Sequence, residues 1–323
     1  MTTLADCLPP EWATALADVL DREAVRIDYG ASYLLAQCDH ATLADAMRRA
    51  GIVADALVVD APYSERTHAG HDDGTASANR VISWAKGREK RGHLQMSRGV
   101  TVEMRVNHAA KHGAGRREID YPAWTGADVD AFVAAWADRT GWLLSITDTN
   151  LAREWERACG EAYLYAFSPI SCMEKGSRVR LDGTGPPQWS TWLVPARPRS
   201  RAFLDAWHAK RWAHGLAPAG GYSGGTEKKP IAGGKPLWLM RAIVGDYSAP
   251  GDLVVDPCAG GGTTLVAAIE LGRIAVGCEP DAGRYEIARA RCAKARPQLR
   301  MALDVTAEKR TQSALDLTGE VTR

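Results

Sequence analysis

Short apolar runs alternate with amphipathic segments over most of the chain. Residues 56–59 form a continuous apolar run that is typical of a buried strand. Residues 127–139 place apolar side chains at helical spacing. This alternation predicts an α/β fold with a mainly parallel sheet and helices on both faces. The predicted strands are 33–38, 56–59, 142–146, 189–195, 252–255 and 274–278, and the predicted helices are 42–50, 127–139, 151–159, 237–244, 263–271 and 282–294.

Two polar, basic stretches interrupt the alternation, at residues 64–121 and 196–230. Within the first, residues 80–117 hold ten Lys and Arg against two acids, and residues 196–230 hold seven against two. The whole chain carries a net charge of only +1, so its positive charge is concentrated in these segments. Such local concentration favours contact with a polyanion, although two solvated loops would look the same. The segments divide the chain into 1–63, 64–121, 122–195, 196–230, 231–305 and a polar tail, 306–323.

Composition narrows the class of protein. The chain has 323 residues, of which 46% are apolar and 24% charged, as in globular proteins. It contains neither an apolar run of membrane-spanning length nor a secretory signal pattern at the start, so we expect a cytoplasmic protein. Seven scattered cysteines without a C-x-x-C pair predict reduced thiols and no metal site.

A glycine-rich turn follows the strand predicted at 252–255. The stretch DPCAGGGTT, residues 256–264, connects this strand to a helix. Glycines let the backbone approach a ligand closely, and the first N–H groups of the helix point at that ligand. Glu279 ends the next predicted strand, 23 residues after Asp256, and an acid at about this spacing binds ribose hydroxyls. Because the turn lacks the features of a phosphate loop, we predict a nucleoside that carries an amino acid, as in S-adenosylmethionine.

A second constellation follows the strand predicted at 56–59. Asp60, Ala61, Pro62 and Tyr63 lie at the carboxyl end of this strand, where open α/β sheets bind ligands. Asp60 and the Ala61 carbonyl can accept hydrogen bonds from an amine, and Tyr63 can stack on a flat heterocycle. The set suits a flipped base whose exocyclic amine faces a methyl donor, although an ordinary strand-ending turn would share the sequence.

Together the two constellations resemble the β-class amino-methyltransferases of DNA, which place the catalytic motif before the cofactor loop. The resemblance extends over KP at 235–236, PGDLVVDPCAGGGTT at 250–264, LGRIAVGCEPD at 271–281 and YEIARARC at 285–292. It implies an S-adenosylmethionine-dependent methyltransferase fold, and it implies catalytic roles for Asp60, Ala61, Pro62 and Tyr63. The cofactor-binding residues that it implies are Asp39, Asp60, Lys235, Pro236, Asp256, Pro257, Cys258, Ala259, Gly260, Gly262, Thr263, Thr264 and Glu279.

Three positions depart from the family pattern. Ala61 replaces the first proline of the motif, which removes rigidity worth about 0.4–1 kcal/mol but keeps the carbonyl. Cys258 replaces a common Phe and should leave one wall of the cofactor pocket smaller. Ile231 stands where the family often has a His.

The resemblance implies methyl transfer to an exocyclic amine of a flipped base in double-stranded DNA. Asp60 favours adenine N6 on family statistics. A cytosine-N4 enzyme, an RNA methyltransferase and a non-catalytic DNA-binding relative are the alternatives. The resemblance also suggests a homodimer, while the sequence indicates no restriction partner and no recognition site.

We predict that the two basic segments share the contact with DNA. Trp207 and Trp212 lie in the second segment and could either stack on bases or pack internally, whereas Trp136, Trp142 and Trp155 are predicted core residues. The predicted DNA contacts are Arg88, Lys90, Arg91 and Arg98 on one side and Arg199, Arg201, Lys210 and Arg211 on the other.

Overall fold

The computed structural model describes residues 10–68, 119, 121–175, 190–210 and 220–298. Within these residues, ten strands form one mixed sheet. The strands are β1 (Arg26–Gly30), β2 (Tyr33–Gln37), β3 (Ala54–Val59), β4 (Thr140–Asp148), β5 (Leu164–Ala166), β6 (Ile170–Lys175), β7 (Thr191–Pro198), β8 (Tyr222–Gly225), β9 (Leu253–Asp256) and β10 (Ile274–Cys278). The helices are α1 (Pro10–Arg22), α2 (His40–Arg49), α3 (Gly126–Trp136), α4 (Ala152–Glu161), α5 (Arg201–Ala209), α6 (Leu237–Tyr247), α7 (Thr263–Glu270) and α8 (Ala282–Cys292).

The centre of the sheet is parallel. The strand order is β1-β2-β10-β9-β3-β4-β7-β6-β8, and β5 pairs with β7. The five neighbours from β2 to β4 all run in one direction. Strand β7 is antiparallel to β4, and β6 is antiparallel to β7. The carboxyl ends of five adjacent strands therefore lie along one edge, which we call the catalytic edge.

Helices cover both faces of the sheet, as predicted. Leu57 and Val59 of β3 pack into a core with α1 to α4, whereas Ala56 and Val58 pack into a second core with α5 to α8. This alternation follows from the two-residue period of a strand, which sends successive side chains to opposite faces. Trp136, Trp142 and Trp155 are all buried, which confirms their prediction as core residues.

The predicted strands and helices are all present, with ends that shift by a few residues. Elements that the sequence pattern did not reveal are α1, β1, β5, β6, α5 and β8. Strand β8 consists of Tyr-Ser-Gly-Gly, which has little intrinsic strand preference. It becomes a strand because Tyr222 to Gly225 pair in parallel with Cys172 to Lys175 of β6.

Residues 196–210 of the second basic segment lie away from the catalytic edge. Because β7 runs antiparallel to β4, it ends at the opposite edge of the sheet, and α5 follows there. Trp207 of α5 is only 9% exposed and packs against Trp142 and Phe203, so packing accounts for this side chain. Trp212 falls outside the described residues.

This placement bears on the predicted DNA contacts of that segment. Lys210 Nζ lies 2.5 Å from Asp55 Oδ1 and 2.7 Å from Asp252 Oδ1, at the amino ends of β3 and β9. Arg199 Nε donates to the Leu164 carbonyl at 3.1 Å, and Arg201 pairs with Asp205 on the surface of α5. These three side chains lie at the sheet edge opposite to Asp60, and the contact of Arg199, Arg201 and Lys210 with DNA stays a prediction. Arg88, Lys90, Arg91, Arg98 and Arg211 fall outside the described residues.

Within the described part of the chain, no helix is long and apolar enough to cross a membrane.

Candidate active site

Acidic residues stand at or just beyond the carboxyl ends of the five parallel strands. Across the sheet, the order is Asp39 after β2, Glu279 after β10, Asp256 ending β9, Asp60 after β3 and Asp148 ending β4. The strand order is what makes them neighbours, since they are scattered over 240 positions of sequence. The carboxyl ends of parallel strands meet at one edge, where doubly wound folds bind their ligands.

A cavity of about 340 Å³ opens at this edge. Its volume falls in the range of small-molecule sites. Ala61, Tyr63, Pro236 and Gly262, which were also predicted for the site, do not line it. The predicted residues that do line it are Asp39, Asp60, Pro62, Lys235, Asp256, Pro257, Cys258, Ala259, Gly260, Thr263, Thr264 and Glu279.

The glycine-rich turn has a left-handed backbone at two of its glycines. Gly260 and Gly262 have φ values of 51° and 72°, in the left-handed region that side chains avoid. Gly262 caps α7, and a Cβ there would lie 3.0 Å from the Ala288 side chain. Glycine at 262 therefore lets the turn pack closely on α8.

Glu279 holds this turn in place. Its Oε2 accepts from the Gly260 N–H at 2.9 Å, and its Oε1 accepts from the Asp281 N–H and from Arg284 Nε, both at 3.0 Å. The carboxylate is nearly buried, with 7% of the side chain exposed. A ligand hydroxyl that donates to Glu279 would thus be added to the protein donors that the carboxylate already has. Glu279 is therefore a structural anchor of the turn as well as a predicted ligand-binding acid.

Asp256 has an unusual protonation equilibrium. Burial raises its pKa to about 7, the nearby Asp60 and Glu279 charges add to that rise, and hydrogen bonds from Thr264 and from the Cys258 N–H oppose it. The Cys258 N–H lies 3.0 Å from Asp256 Oδ1. A cationic ligand in the cavity would favour the ionised form of this carboxyl, because opposite charge lowers the pKa of an acid.

Asp60 lies beside a lysine. Lys235 Nζ is 2.7 Å from Asp60 Oδ1 and 2.9 Å from Asp60 Oδ2. The same ammonium lies 4.6 Å from the centre of the Tyr63 ring. Burial raises the pKa of Asp60, and the Lys235 charge and hydrogen bond oppose that rise.

Asp148 supports the segment that follows the Asp60 motif. Its Oδ2 accepts from the Ser64 N–H at 2.9 Å and from the hydroxyls of Ser64 and Thr67, both at 2.5 Å. Burial alone would raise the pKa of this carboxyl, but hydrogen bonds, including those from Ser64, Thr67 and the Leu151 N–H, outweigh burial and lower it. The Tyr63 carbonyl accepts from the Trp124 N–H at 3.0 Å. These bonds fix the chain direction immediately after Tyr63.

Several cavity residues were not predicted. His40 follows Asp39, and burial lowers its pKa while its ring packs against Phe132 and Trp124. His40 and Pro280 directly follow the predicted residues Asp39 and Glu279, and this adjacency could have indicated them. Nothing in the sequence pattern indicates Tyr121 or Trp124. The unpredicted lining residues are His40, Tyr121, Pro122, Trp124, Ile231, Ala232, Gly233, Gly234, Met240, Gly261, Pro280 and Arg284.

Two of the three positions that depart from the family pattern, Ile231 and Cys258, line the cavity. Ile231, where the family often has a His, has its Cδ1 3.0 Å from the position a Cβ would take on Gly260. It thus packs against the glycine-rich turn. Cys258 is a free thiol that lines the cavity, and burial raises its pKa. A buried neutral thiol is a poor nucleophile, so Cys258 acts as a small apolar wall.

Comparison with known proteins agrees with this geometry. A family model described as DNA methylase (N6_N4_Mtase) matches residues 54–290, a span that contains both the Asp60 motif and the glycine-rich turn. The chain belongs to this family. The resemblance to the amino-methyltransferases of DNA is therefore confirmed.

Individual relatives match shorter stretches. Type II methyltransferase M.EcaI of Enterobacter cloacae is 28% identical over 159 residues, which cover 49% of this chain and 33% of the relative. Type II methyltransferase M.HindIII of Haemophilus influenzae is 46% identical over 54 residues, which cover 17% and 18%. The chain thus spans a third or less of these two curated relatives. A crystal structure of an M1.HpyAVI–SAM complex superposes with a TM-score of 0.49 at 14% identity, covering 80% of this chain and 99% of that one.

Proposed function

We propose that the protein binds S-adenosylmethionine in the cavity at the catalytic edge and transfers its methyl group to an exocyclic amine of a base in DNA. The observation that carries this proposal is that Asp60 and the turn anchored by Glu279 line one cavity, although 219 positions separate the two acids. Family membership supports the choice of reaction.

The charges of the cavity suit this cofactor. S-adenosylmethionine carries a positive sulfonium and a positive ammonium group, and Asp60, Asp256 and Glu279 line the cavity. In the proposed complex Glu279 accepts hydrogen bonds from the ribose hydroxyls, and the glycine-rich turn surrounds the methionine portion. Asp256, with a pKa near 7, is available to ionise next to the cationic groups.

The reaction needs orientation more than a covalent intermediate. The lone pair of the amine nitrogen attacks the methyl carbon, the carbon–sulfur bond breaks, and its electron pair stays on sulfur. The nitrogen then loses a proton. Hydrogen bonds from the amine to Asp60 and to the Ala61 carbonyl hold the nitrogen in line and stabilise the charge that develops on it. In the proposed complex Tyr63 covers the face of the base and offsets part of the cost of unstacking it.

Adenine N6 is our preferred target because the motif begins with Asp60. Cytosine N4 is the second candidate, since the family includes both targets. An RNA substrate and a non-catalytic DNA-binding role remain as outcomes of the test.

Methylation-sensitive long-read sequencing of DNA from cells expressing the chain tests the proposal. We expect N6-methyladenine at one short sequence, absent from cells that express Asp60→Asn. Detection of N4-methylcytosine instead would identify cytosine N4 as the target. If duplex DNA is unmodified while structured RNA accepts the methyl group, the enzyme acts on RNA. Cofactor binding without transfer to either nucleic acid would indicate the non-catalytic alternative.

We propose that the first basic segment, residues 80–117, contacts DNA. This segment falls outside the described residues, but the chain leaves and re-enters the described structure at the catalytic edge. Ser64 forms a bridge with Trp124, and Tyr121 and Pro122 line the cavity. The described residues on either side of this segment therefore lie close to Asp60.

Replacing Arg88, Lys90 and Arg91 together with Ala should reduce the dependence of DNA affinity on salt. Each lost phosphate contact is expected to lower the slope of log affinity against log salt concentration by about 0.9. Titrations of DNA at several salt concentrations measure the slope, and calorimetry with S-adenosylmethionine controls for folding. An unchanged slope with normal cofactor binding would show that these residues do not contact phosphates.

The homodimer suggested by family resemblance is also a proposal. Light scattering at micromolar protein concentration should give twice the chain mass of 34.9 kDa. A monomer both with and without DNA would refute the dimer.

A further inference from the structure

The Asp60–Lys235 pair joins two motifs that the sequence assigns to different tasks. Family resemblance places Lys235 on the cofactor side and Asp60 at the reacting amine. In the structure the ammonium contacts both oxygens of this carboxylate, at 2.7 and 2.9 Å. Only 11% of the Lys235 side chain and 21% of the Asp60 side chain are exposed. The pair is therefore shielded from most of the solvent that weakens surface ion pairs.

The loop before Lys235 fixes the ammonium in place. Lys235 Nζ also donates to the Gly233 carbonyl at 3.0 Å. Gly233 has a φ of 73°, and a Cβ there would lie 2.8 Å from the Tyr121 hydroxyl. A glycine is thus required where the loop turns to present that carbonyl. The geometry is built to hold the ammonium against Asp60.

The charges around Asp60 make Lys235 its principal counter-ion. Lys229 also acts on Asp60, but its Nζ pairs with Glu174 Oε2 at 2.6 Å. Asp256 carries a like charge when it is ionised, which disfavours a second negative charge on Asp60. The titratable groups that interact with Asp60 are Lys235, Lys229, Tyr63, Asp256, Cys172 and Cys258.

We propose that Lys235 is a positioning residue for methyl transfer, which keeps Asp60 ionised and aimed at the place of the target amine. An Asp60 carboxylic acid would have a proton on one of its two oxygens and would be a weaker acceptor for an amine. The part of this proposal that concerns the amine rests on the proposed function. The ion pair itself does not.

The position of the ammonium also indicates how the amine enters. Lys235 Nζ contacts Asp60 and lies over the Tyr63 ring, and these are two of the groups assigned to the target base. An incoming amine must therefore share the carboxylate with Lys235, taking one oxygen while the ammonium keeps the other. In this arrangement the Lys235 ammonium is a fixed positive charge near the amine nitrogen before methyl transfer. The negative charge of Asp60 is needed to offset that ammonium.

Carbon-13 NMR of protein labelled at the Asp carboxyl carbons tests the pair directly, without DNA. The Asp60 signal is assigned as the one missing from Asp60→Asn. Lys235→Met should raise the titration midpoint of Asp60 by about 1–3 pH units, because a close opposite charge lowers the pKa of an acid by that amount. Lys235→Arg should restore a midpoint near that of the wild type. Lys294→Met removes an exposed positive charge on the segment after α8 and should leave the midpoint unchanged.

The pH profile of methyl transfer is the second readout. In Lys235→Met the acid limb of kcat should move up by the same number of pH units, with turnover recovering at high pH. A loss of turnover that is equal at every pH would indicate a merely structural role and would overturn the proposal. An Asp60 midpoint that does not move in Lys235→Met, or in Lys235→Gln if the Met variant fails to fold, would also overturn it. If the wild type binds the cofactor but methylates no nucleic acid, the proposed function fails while the NMR titration still decides on the ion pair.

Discussion

Asp60→Asn should reduce methyl transfer by about 100- to 1,000-fold, because it removes the charge that stabilises the developing cation on the target nitrogen. The amide has nearly the same shape as the carboxylate, so the cavity should keep its form. Its carbonyl oxygen would accept from the Lys235 ammonium, which leaves the NH₂ group facing the amine, and an NH₂ group cannot accept a hydrogen bond from it. Transfer of a tritiated methyl group from S-adenosylmethionine to DNA measures the loss.

The matched control is Asp138→Asn, which removes a carboxylate that is 58% exposed and pairs with Arg48 and Arg139 at the surface. It should leave turnover unchanged. Thermal unfolding of both variants separates a catalytic loss from a folding defect. Near-normal turnover in a folded Asp60→Asn variant would contradict the assignment of Asp60 as a catalytic carboxylate.

Glu279→Ala should weaken binding of S-adenosylmethionine by about 10- to 150-fold, the equivalent of one hydrogen bond to a charged group at 1.5–3 kcal/mol. The structure adds a second reason for the loss. The carboxylate also accepts from the Gly260 N–H, so the variant releases the turn that forms one wall of the cavity. Isothermal titration calorimetry measures the dissociation constant.

Glu279→Gln separates these two contributions. Its amide oxygen can still accept from the Gly260 N–H, but its NH₂ group cannot accept from Arg284 or from a ribose hydroxyl. We expect an intermediate affinity for this variant. If Glu279→Gln binds the cofactor as tightly as the wild type while Glu279→Ala does not, Glu279 is only an anchor of the turn and does not bind ribose. If both variants bind as tightly as the wild type, neither contact contributes to cofactor binding.

The second basic segment shows what the distribution of charge along the sequence leaves open. Seven Lys and Arg between residues 196 and 230 suggested a surface that meets DNA. In the structure Lys210 bridges Asp55 and Asp252, and Arg199 lies over the Tyr165 ring. The count of charges was correct, but their partners come from distant parts of the chain. An excess of charge in a segment therefore did not show which edge of the sheet the segment faces.

The sequence by itself determined the local elements and the chemistry at their ends. The spacing of apolar residues reflects which side chains are buried away from water. The strands that end near Asp60, Asp256 and Glu279 could therefore be predicted from this pattern alone. The sequence also predicted a tight glycine-rich turn after Asp256, and the structure has left-handed backbone angles at Gly260 and Gly262 there.

Only the tertiary structure decided which of these residues meet. The order β2-β10-β9-β3-β4 brings Asp39, Glu279, Asp256 and Asp60 to one edge, and the antiparallel direction of β7 sends α5 to the other. The contact between Asp60 and Lys235 spans 175 positions, and no local pattern encodes a pairing over that distance. Strand order and long-range pairing depend on how all the apolar faces are buried together, so they appear only when the whole sheet has formed.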